Sequence, residues 1–198
     1  MIRNHKILIL ILLVSFAVMI CGCAKPVEKP PVMNGTTPSP GSEPAGFSKD
    51  NPAPIGETIT VEDWNWGQKK ISIEITLLET VRGDEAWNRI SDANVLNQAP
   101  KDGKEYLMAK FRYRLEKLGP AGESFRISTL DFDAVTTDGV VVNGIPLMAG
   151  IEMINAELYE GGTKEGWVIY QVPKDDASPV IAYGRMVSGS GGLWFKTA

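Results

Sequence analysis

Alternating apolar and polar residues are the feature of this sequence that most constrains its fold. The alternation is longest in Lys70–Thr80 and Glu105–Glu116, and shorter versions occupy Leu130–Thr136 and Trp167–Val172. A repeat of two places successive side chains on opposite faces of an extended chain, so that one face is buried and the other is hydrated. The apolar faces predicted in this way are Ile71, Ile73, Ile75 and Leu77; Leu107, Ala109, Phe111, Tyr113 and Leu115; Leu130, Phe132 and Ala134; and Val168, Tyr170 and Val172.

Further short strands are predicted between turns that contain glycine or proline. They lie at Thr58–Glu62, Val140–Val142, Val180–Met186 and Leu193–Lys196. Many short strands with frequent turns favour an antiparallel β-sandwich over an α/β sheet. The predicted fold class is therefore all-β, with the sandwich as its architecture.

One segment, Asp84–Asn97, departs from the alternation. Trp87 and Ile90 recur there at helical spacing, followed less regularly by Leu96, and a proline lies beyond the end of the segment. Asp84 is a residue type that commonly caps the start of a helix. The segment predicts one short helix in an otherwise all-β chain.

The start of the chain has the organisation of a secretory signal. Arg3 and Lys6 precede an apolar run, Ile7–Ile20, and Gly22 stands directly before Cys23. This order resembles the lipobox of bacterial lipoproteins, in which the cysteine becomes the first mature residue and carries a diacylglyceryl lipid. Two acyl chains are sufficient for stable membrane anchoring. The predicted lipidation site is Cys23, and the predicted location is the extracytoplasmic face of the cell membrane.

Two other interpretations of this start are an uncleaved membrane helix and ordinary secretion without a lipid. Extending the apolar run through Ala24 produces an uncharged segment of 18 residues, which is about the minimum for a spanning helix. The chain after Cys23 is polar and rich in proline and lacks a basic stop-transfer cluster. Lipidation is therefore favoured over both alternatives.

Composition excludes several classes of function. Cleavage before Cys23 removes two basic residues and leaves 18 basic and 24 acidic residues, a formal charge of −6. This charge argues against binding nucleic acid or docking electrostatically on anionic lipid. The one histidine, His5, lies in the signal, and Cys23 is the one mature cysteine. No internal disulfide, no histidine or cysteine metal site and no cofactor are expected.

Proline usage divides the chain into three parts. Residues 1–22 are the predicted signal peptide, and 23–54 are the lipidated cysteine with a proline-rich tether that holds eight of the 13 prolines. Such a tether cannot bury enough apolar area to fold. Residues 55–198 form the predicted sandwich, a length at which a single domain supports its own core.

Two stretches of the predicted domain are similar to a known family. Gly83-Asp84-Glu85-Ala86 opens a helix, and Pro100 to Leu107 leads into a long strand; the second stretch is Gly166 to Asp175. Together they resemble the immunoglobulin-like domain of unknown function found in lipoproteins of Gram-positive bacteria, whose sandwich is related to a secreted mycobacterial antigen. The resemblance covers about residues 55–198. It implies an immunoglobulin-like fold and an envelope location, and it implies no activity.

Residues that suggest catalysis or metal binding are few. Ser188 to Gly192 is not a G-x-S-x-G nucleophile elbow, and no mature histidine is present to activate a serine. Asp131 with Asp133 and Asp175 with Asp176 are carboxylate pairs of the kind that hydrolyse glycosides or bind calcium. Neither pair lies in a recognisable calcium loop, so no metal site is predicted, and both pairs are interpreted as solvated surface.

Trp64 and Trp66 form the candidate contact surface. They share a face if Glu62–Trp66 is extended, and polar residues including Asn65 lie beside them. Exposed aromatic residues are enriched at interfaces, where they stack on a partner. The alternative is that the two indoles cap the sandwich or fill its core.

These features predict a lipid-anchored, non-enzymatic binding or interaction module that contacts an unidentified protein or glycan of the cell envelope. A carboxylate-dependent hydrolase of envelope glycans and a structural envelope spacer are the alternatives. A deep acidic cleft would favour the hydrolase. A shallow surface with an exposed apolar patch would favour the interaction module.

Overall fold

A computed structural model of the protein describes residues 43–198, and the predicted lipidation site Cys23 lies outside the described residues. The elements in chain order are β1 (Thr58–Trp66), β2 (Lys69–Arg82), α1 (Gly83–Ala93), β3 (Lys104–Gly119), β4 (Phe125–Ile127), a 3-10 turn (Thr129–Asp131), β5 (Phe132–Val135), β6 (Val141–Asn143), β7 (Ala156–Leu158), β8 (Thr163–Pro173), β9 (Val180–Tyr183) and β10 (Leu193–Lys196). The helices within residues 43–198 lack the length and the apolar character that a membrane-spanning segment needs.

Two four-stranded sheets form the sandwich. The first has the order β1-β2-β3-β8 and the second the order β10-β9-β5-β6, while β4 and β7 make a separate pair. All the pairings between these strands are antiparallel. The prediction of an all-β antiparallel sandwich with one short helix is confirmed.

The core lies between the two sheets, where the apolar faces of the alternating strands meet. The predicted inward residues of β2, from Ile71 to Leu77, are buried, and Lys110 of β3 faces the other way. Phe111 of β3 packs against Phe132 and Phe195 of the second sheet, with ring centroids 4.9 Å and 5.0 Å apart. Each fully buried large apolar side chain contributes about 1.5–3 kcal/mol, so the alternation stabilises the sandwich directly.

Helix α1 covers the outer face of the first sheet at one end. Its buried residues, Ala86 and Ile90, pack against Tyr106, Met108 and Ile169. These strand residues alternate with the inward-facing ones, so the sheet is apolar on both faces where α1 and the segment that contains Met148 and Met153 cover it.

The helix ends earlier than the sequence predicts, at Ala93 rather than Asn97, and Arg82 rather than Asp84 occupies the N-cap position. Asn94 is extended, and its side-chain oxygen accepts a hydrogen bond from the Leu96 amide at 2.8 Å. Asparagine in such a turn competes with helical hydrogen bonding. Leu96 is therefore exposed in a turn.

The second sheet differs from the prediction at Leu130. This residue was expected on the core face, but its side chain is 70% exposed. The Ser128 side chain accepts a hydrogen bond from the Leu130 amide, and the Asp131 carboxylate accepts one from the Ser128 amide at 2.7 Å. This capping box forms a 3-10 turn, so regular alternation begins only at Phe132.

The folded part of the chain begins before Ile55, where the predicted tether was expected to end. The Trp194 amide donates to the Gly46 carbonyl oxygen, and the Ala53 amide donates to the Trp194 carbonyl oxygen, each at 2.8 Å. The Lys196 amide donates to the Ala53 carbonyl oxygen at the same distance, and Ala53 is fully buried. The last residues of the predicted tether thus satisfy the backbone groups of β10, which would otherwise be an open edge.

Candidate binding groove

An open groove of about 340 Å³ lies at one end of the sandwich, and we name it the tryptophan groove. It is lined by the two indoles of β1, by polar groups at the start of β5, and by both ends of the β9–β10 loop. The lining residues that matter for its chemistry are Trp64, Trp66, Asp131, Asp133, Gly184 and Arg185, with Leu130 and Met186 at its rim. The candidate surface predicted from the sequence and one of the two predicted carboxylate pairs therefore belong to the same groove.

A β-bulge places both tryptophans on the groove side of β1. The pairing of β1 with β2 shifts between Val61 and Trp64, and Asp63 adopts a left-handed φ of 51°. The Asp63 amide donates to the Ser72 hydroxyl at 3.1 Å, which gives the displaced backbone a partner. Strict alternation after Val61 would send residues 63 and 65 inward. The extra residue sends Trp64 and Trp66 inward instead.

The two indoles contact each other and the end of the core. Their ring centroids are 5.2 Å apart with the planes at 89°, an edge-to-face arrangement. Trp66 stacks on Tyr183 at 5.1 Å and 17°, and its edge approaches Phe125 at 6.0 Å. Both tryptophans are half-buried. They are thus held by packing on one side and reach the groove on the other.

Gly184 makes room for the indoles directly after β9. Its φ is 69°, and a Cβ atom there would lie 2.4 Å from Trp66 Cζ3 and 2.6 Å from Trp64 Cη2. A side chain at this position is unfavourable both in backbone conformation and in space. Gly184 lies inside the predicted strand Val180–Met186, so no sequence signal marked it as part of a site.

An ion pair crosses the floor of the groove. Arg185 Nη2 lies 2.8 Å from Asp133 Oδ2, and the two side chains are 14% and 22% exposed. The Arg185 Nε atom is buried and has no hydrogen-bond partner among residues 43–198. Arg185 could not be predicted from the sequence either, because its partner lies 52 residues away in the chain.

Asp131 has a different environment from Asp133. Its carboxylate accepts hydrogen bonds from the amide and hydroxyl of Ser128, at 2.7 Å and 3.4 Å. Burial raises the pKa of Asp131, and the Ser128 hydrogen bonds oppose that rise. The two carboxylates belong to different elements, because Asp131 closes the 3-10 turn while Asp133 belongs to β5.

The other candidate residues from the sequence, which are Asp175, Asp176 and the serines of the β9–β10 loop, do not line the groove. Asp176 was expected to be solvated, but it is buried and accepts hydrogen bonds from the amides of Thr137 and Ser178, so it organises a turn. Asp175 is exposed. The hydroxyls of Ser188 and Ser190 bond to each other at 2.9 Å within the β9–β10 loop. Within residues 43–198 no group of three His, Cys, Asp or Glu side chains is placed to hold a metal ion.

No protein-family model and no curated protein matches this chain. Three solved structures are similar to it at low sequence identity. MPT63, a secreted protein of Mycobacterium tuberculosis, is 15% identical, with 73% of this chain and 95% of that chain covered and a TM-score of 0.49. YjhA of Bacillus subtilis is 16% identical, with coverages of 72% and 97% and a TM-score of 0.48.

The third structure is YcdA, a lipoprotein candidate of Bacillus subtilis. It is 11% identical, with 67% of this chain but only 38% of that chain covered, and its TM-score is 0.44. These similarities concern the backbone arrangement, and they assign no ligand or activity to this chain.

Proposed function

We propose that this protein is a lipid-anchored, non-enzymatic binding module on the extracytoplasmic face of the cell membrane. The proposed location is supported by the signal-like start of the sequence and by Cys23. The observation that carries the binding function is the tryptophan groove, in which Trp64 and Trp66 are held at an open surface beside Asp131, Asp133 and Arg185. Aromatic rings with polar neighbours are the usual anchors of protein recognition sites.

The polar groups of the groove favour binding over hydrolysis. Asp133 is engaged by Arg185, and Asp131 is engaged by Ser128. A glycoside hydrolase needs two carboxyl groups that both reach the scissile bond. The raised pKa of Asp131 is the one observation that favours the alternative, since a general acid needs a raised pKa. Because the carboxylate of Asp131 also closes a turn, we place the hydrolase second.

Replacing both groove tryptophans tests the proposal. We expect Trp64→Ala with Trp66→Ala to abolish recovery of envelope partners after cross-linking and pulldown, while the domain remains folded. Deleting one fully buried tryptophan lowers the free energy of unfolding by about 3–5 kcal/mol. Each of the two substitutions should cost less than this, because both side chains are half-buried.

Trp87→Ala is the matched control, because Trp87 stacks on Tyr106 under the helix, away from the groove lining. This variant should lose some stability and keep partner recovery. Thermal melting of all the variants accompanies the pulldown. If the double variant yields no folded protein, the two tryptophans belong to the core and the contact interpretation is wrong.

A further inference from the structure

We propose that the ligand of the tryptophan groove is a polypeptide segment that presents a basic side chain next to a large apolar side chain. This inference rests on the proposed function, since it names the class of partner for the same site. Three features of the groove support it: the exposed apolar side chains at its rim, the excess of carboxylate over guanidinium groups in its lining, and its two indoles.

The rim of the groove is apolar. Leu130 and Met186 are 70% and 61% exposed, and Val187, next to Met186 in the chain, is fully exposed. Contiguous exposed apolar side chains beside a groove are typical of an interaction site. Tryptophan, methionine and arginine, which meet here, are the residue types enriched in protein–protein interfaces. The apolar part of the ligand would cover this rim.

A glycan fits the groove less well. Sugar hydroxyls need many free hydrogen-bonding groups, whereas Arg185 and Asp133 are directed at each other and one of the two Asp131 carboxylate oxygens already accepts from Ser128. A peptide can bury apolar side chains on the rim and carry its own backbone hydrogen-bonding groups. The engaged polar floor therefore favours a polypeptide over a carbohydrate.

The charge of the groove selects a cation. The lining holds two carboxylates, Asp131 and Asp133, and one guanidinium, that of Arg185, so it carries one unbalanced negative charge when both carboxylates are ionised. The Asp131 hydrogen bonds engage Oδ2, and Oδ1 accepts none from residues 43–198. An ammonium or guanidinium group is attracted both by a carboxylate and by the face of an indole. We assign Asp131 Oδ1 and the indole of Trp64 as the contacts of the basic side chain.

A peptide-display selection on the immobilised full-length protein in neutral detergent micelles tests the inference. Random dodecapeptides are first depleted on the Trp64→Ala, Trp66→Ala double variant in the same micelles, which removes binders of the micelle and of other surfaces. We expect the remaining binders to be enriched in lysine or arginine beside leucine, phenylalanine or methionine.

The strongest selected peptide is then measured by calorimetry. Asp131→Asn should weaken the binding of this peptide by about tenfold, equivalent to about 1.4 kcal/mol. The asparagine oxygen still accepts from the Ser128 amide, so the 3-10 turn is retained. Trp87→Ala should leave the affinity unchanged. Raising the salt concentration to about 1 M should weaken binding to the wild type more than binding to Asp131→Asn, because screening acts on the charge contact.

Three results would overturn the inference. They are enrichment of acidic or purely polar peptides, no enrichment at all, and binding of a soluble N-acetylglucosamine tetramer that is lost in the double tryptophan variant. In each case the proposed binding module still stands if partner recovery from the envelope requires Trp64 and Trp66. The proposed function fails separately if that recovery is unchanged in the double variant.

Discussion

Asp63 and Gly184 decide where the two groove tryptophans lie. Asp63, in left-handed conformation, is the extra residue of the bulge that turns Trp64 and Trp66 inward. Gly184 leaves the space that their rings occupy. Both residues adopt a positive φ, which is uncommon for a residue other than glycine and costs about 1–3 kcal/mol of strain there. The groove is therefore built at a local cost in backbone energy.

Gly184→Ala tests this account of the groove. We expect the substitution to lower the free energy of unfolding by about 1–3 kcal/mol beyond the cost of the left-handed backbone, because the added Cβ overlaps both indoles. Gly139→Ala is the matched control, since Gly139 has a φ of 86° and nothing within 4 Å of an added Cβ. Urea titration with tryptophan emission measures both effects. Equal destabilisation by the two substitutions would contradict the packing argument.

Loss of the hydroxyl should affect the stability of the domain differently at the buried residues Tyr113 and Tyr170. The Tyr183 hydroxyl donates to the Tyr113 hydroxyl at 3.1 Å, whereas the buried Tyr170 hydroxyl has no partner among the described residues. Tyr113→Phe should cost about 1–3 kcal/mol, because it leaves the Tyr183 hydroxyl unpaired in the core. Tyr170→Phe should be neutral or stabilising at neutral pH. Denaturant unfolding of both variants decides the matter.

The same side chains make stability depend on pH in the alkaline range. Burial raises the pKa of Tyr113 and raises the pKa values of Tyr170 and Tyr183 well above 10. These tyrosines ionise at lower pH in the unfolded chain than in the folded protein. Their burial therefore leaves the free energy of unfolding undiminished below about pH 10, and that free energy falls as the pH rises toward the folded pKa values. Tyr170→Phe should therefore lose less stability than the wild type between about pH 9 and 11. If the free energy of unfolding falls equally with pH in Tyr170→Phe and in the wild type, ionisation of Tyr170 is not the cause.

At the scale of elements, the segment before β1 behaves as part of the second sheet. Gly46 and Ala53 make three backbone hydrogen bonds with Trp194 and Lys196 of β10. A fragment of residues 55–198 should be less stable than one of residues 43–198 by about 3 kcal/mol, at roughly 1 kcal/mol per bond. Thermal melting and light scattering compare the two fragments. Equal stability and equal solubility would show that β10 needs no cover.

At the scale of the whole molecule, Cys23 joins the folded domain to the membrane in our proposal. Cys23→Ala should abolish incorporation of labelled fatty acid in a bacterial host and produce a slower-migrating precursor, because the signal peptidase for lipoproteins acts only before a lipidated cysteine. Cys21→Ala is the matched control, since bulky Ile20 precedes it. Absence of label in the wild-type protein would refute lipidation and leave the fold of residues 43–198 as described.

Local periodicity accounts for most of the fold that could be predicted. The alternation in β2, β3 and β8 predicted the buried faces correctly, because side-chain direction in a strand follows from backbone geometry alone. The bulge at Asp63 and the end of the helix at Ala93 could not be read in this way. Each depends on hydrogen bonds to another part of the chain or on a local turn that interrupts the repeat.

The sequence was sufficient for the buried faces of β2, β3 and β8, for the presence of a helix, and for the two tryptophans as a candidate surface. Only the tertiary structure brought Trp66, Asp133 and Arg185 to one groove, since Arg185 meets Asp133 across 52 residues and Trp66 meets Tyr183 across the two sheets. It also decided that the indoles are half-buried, which alternation could not specify. The physical reason is that periodicity records which face of an element avoids water, whereas the site depends on which elements meet at the end of the sandwich.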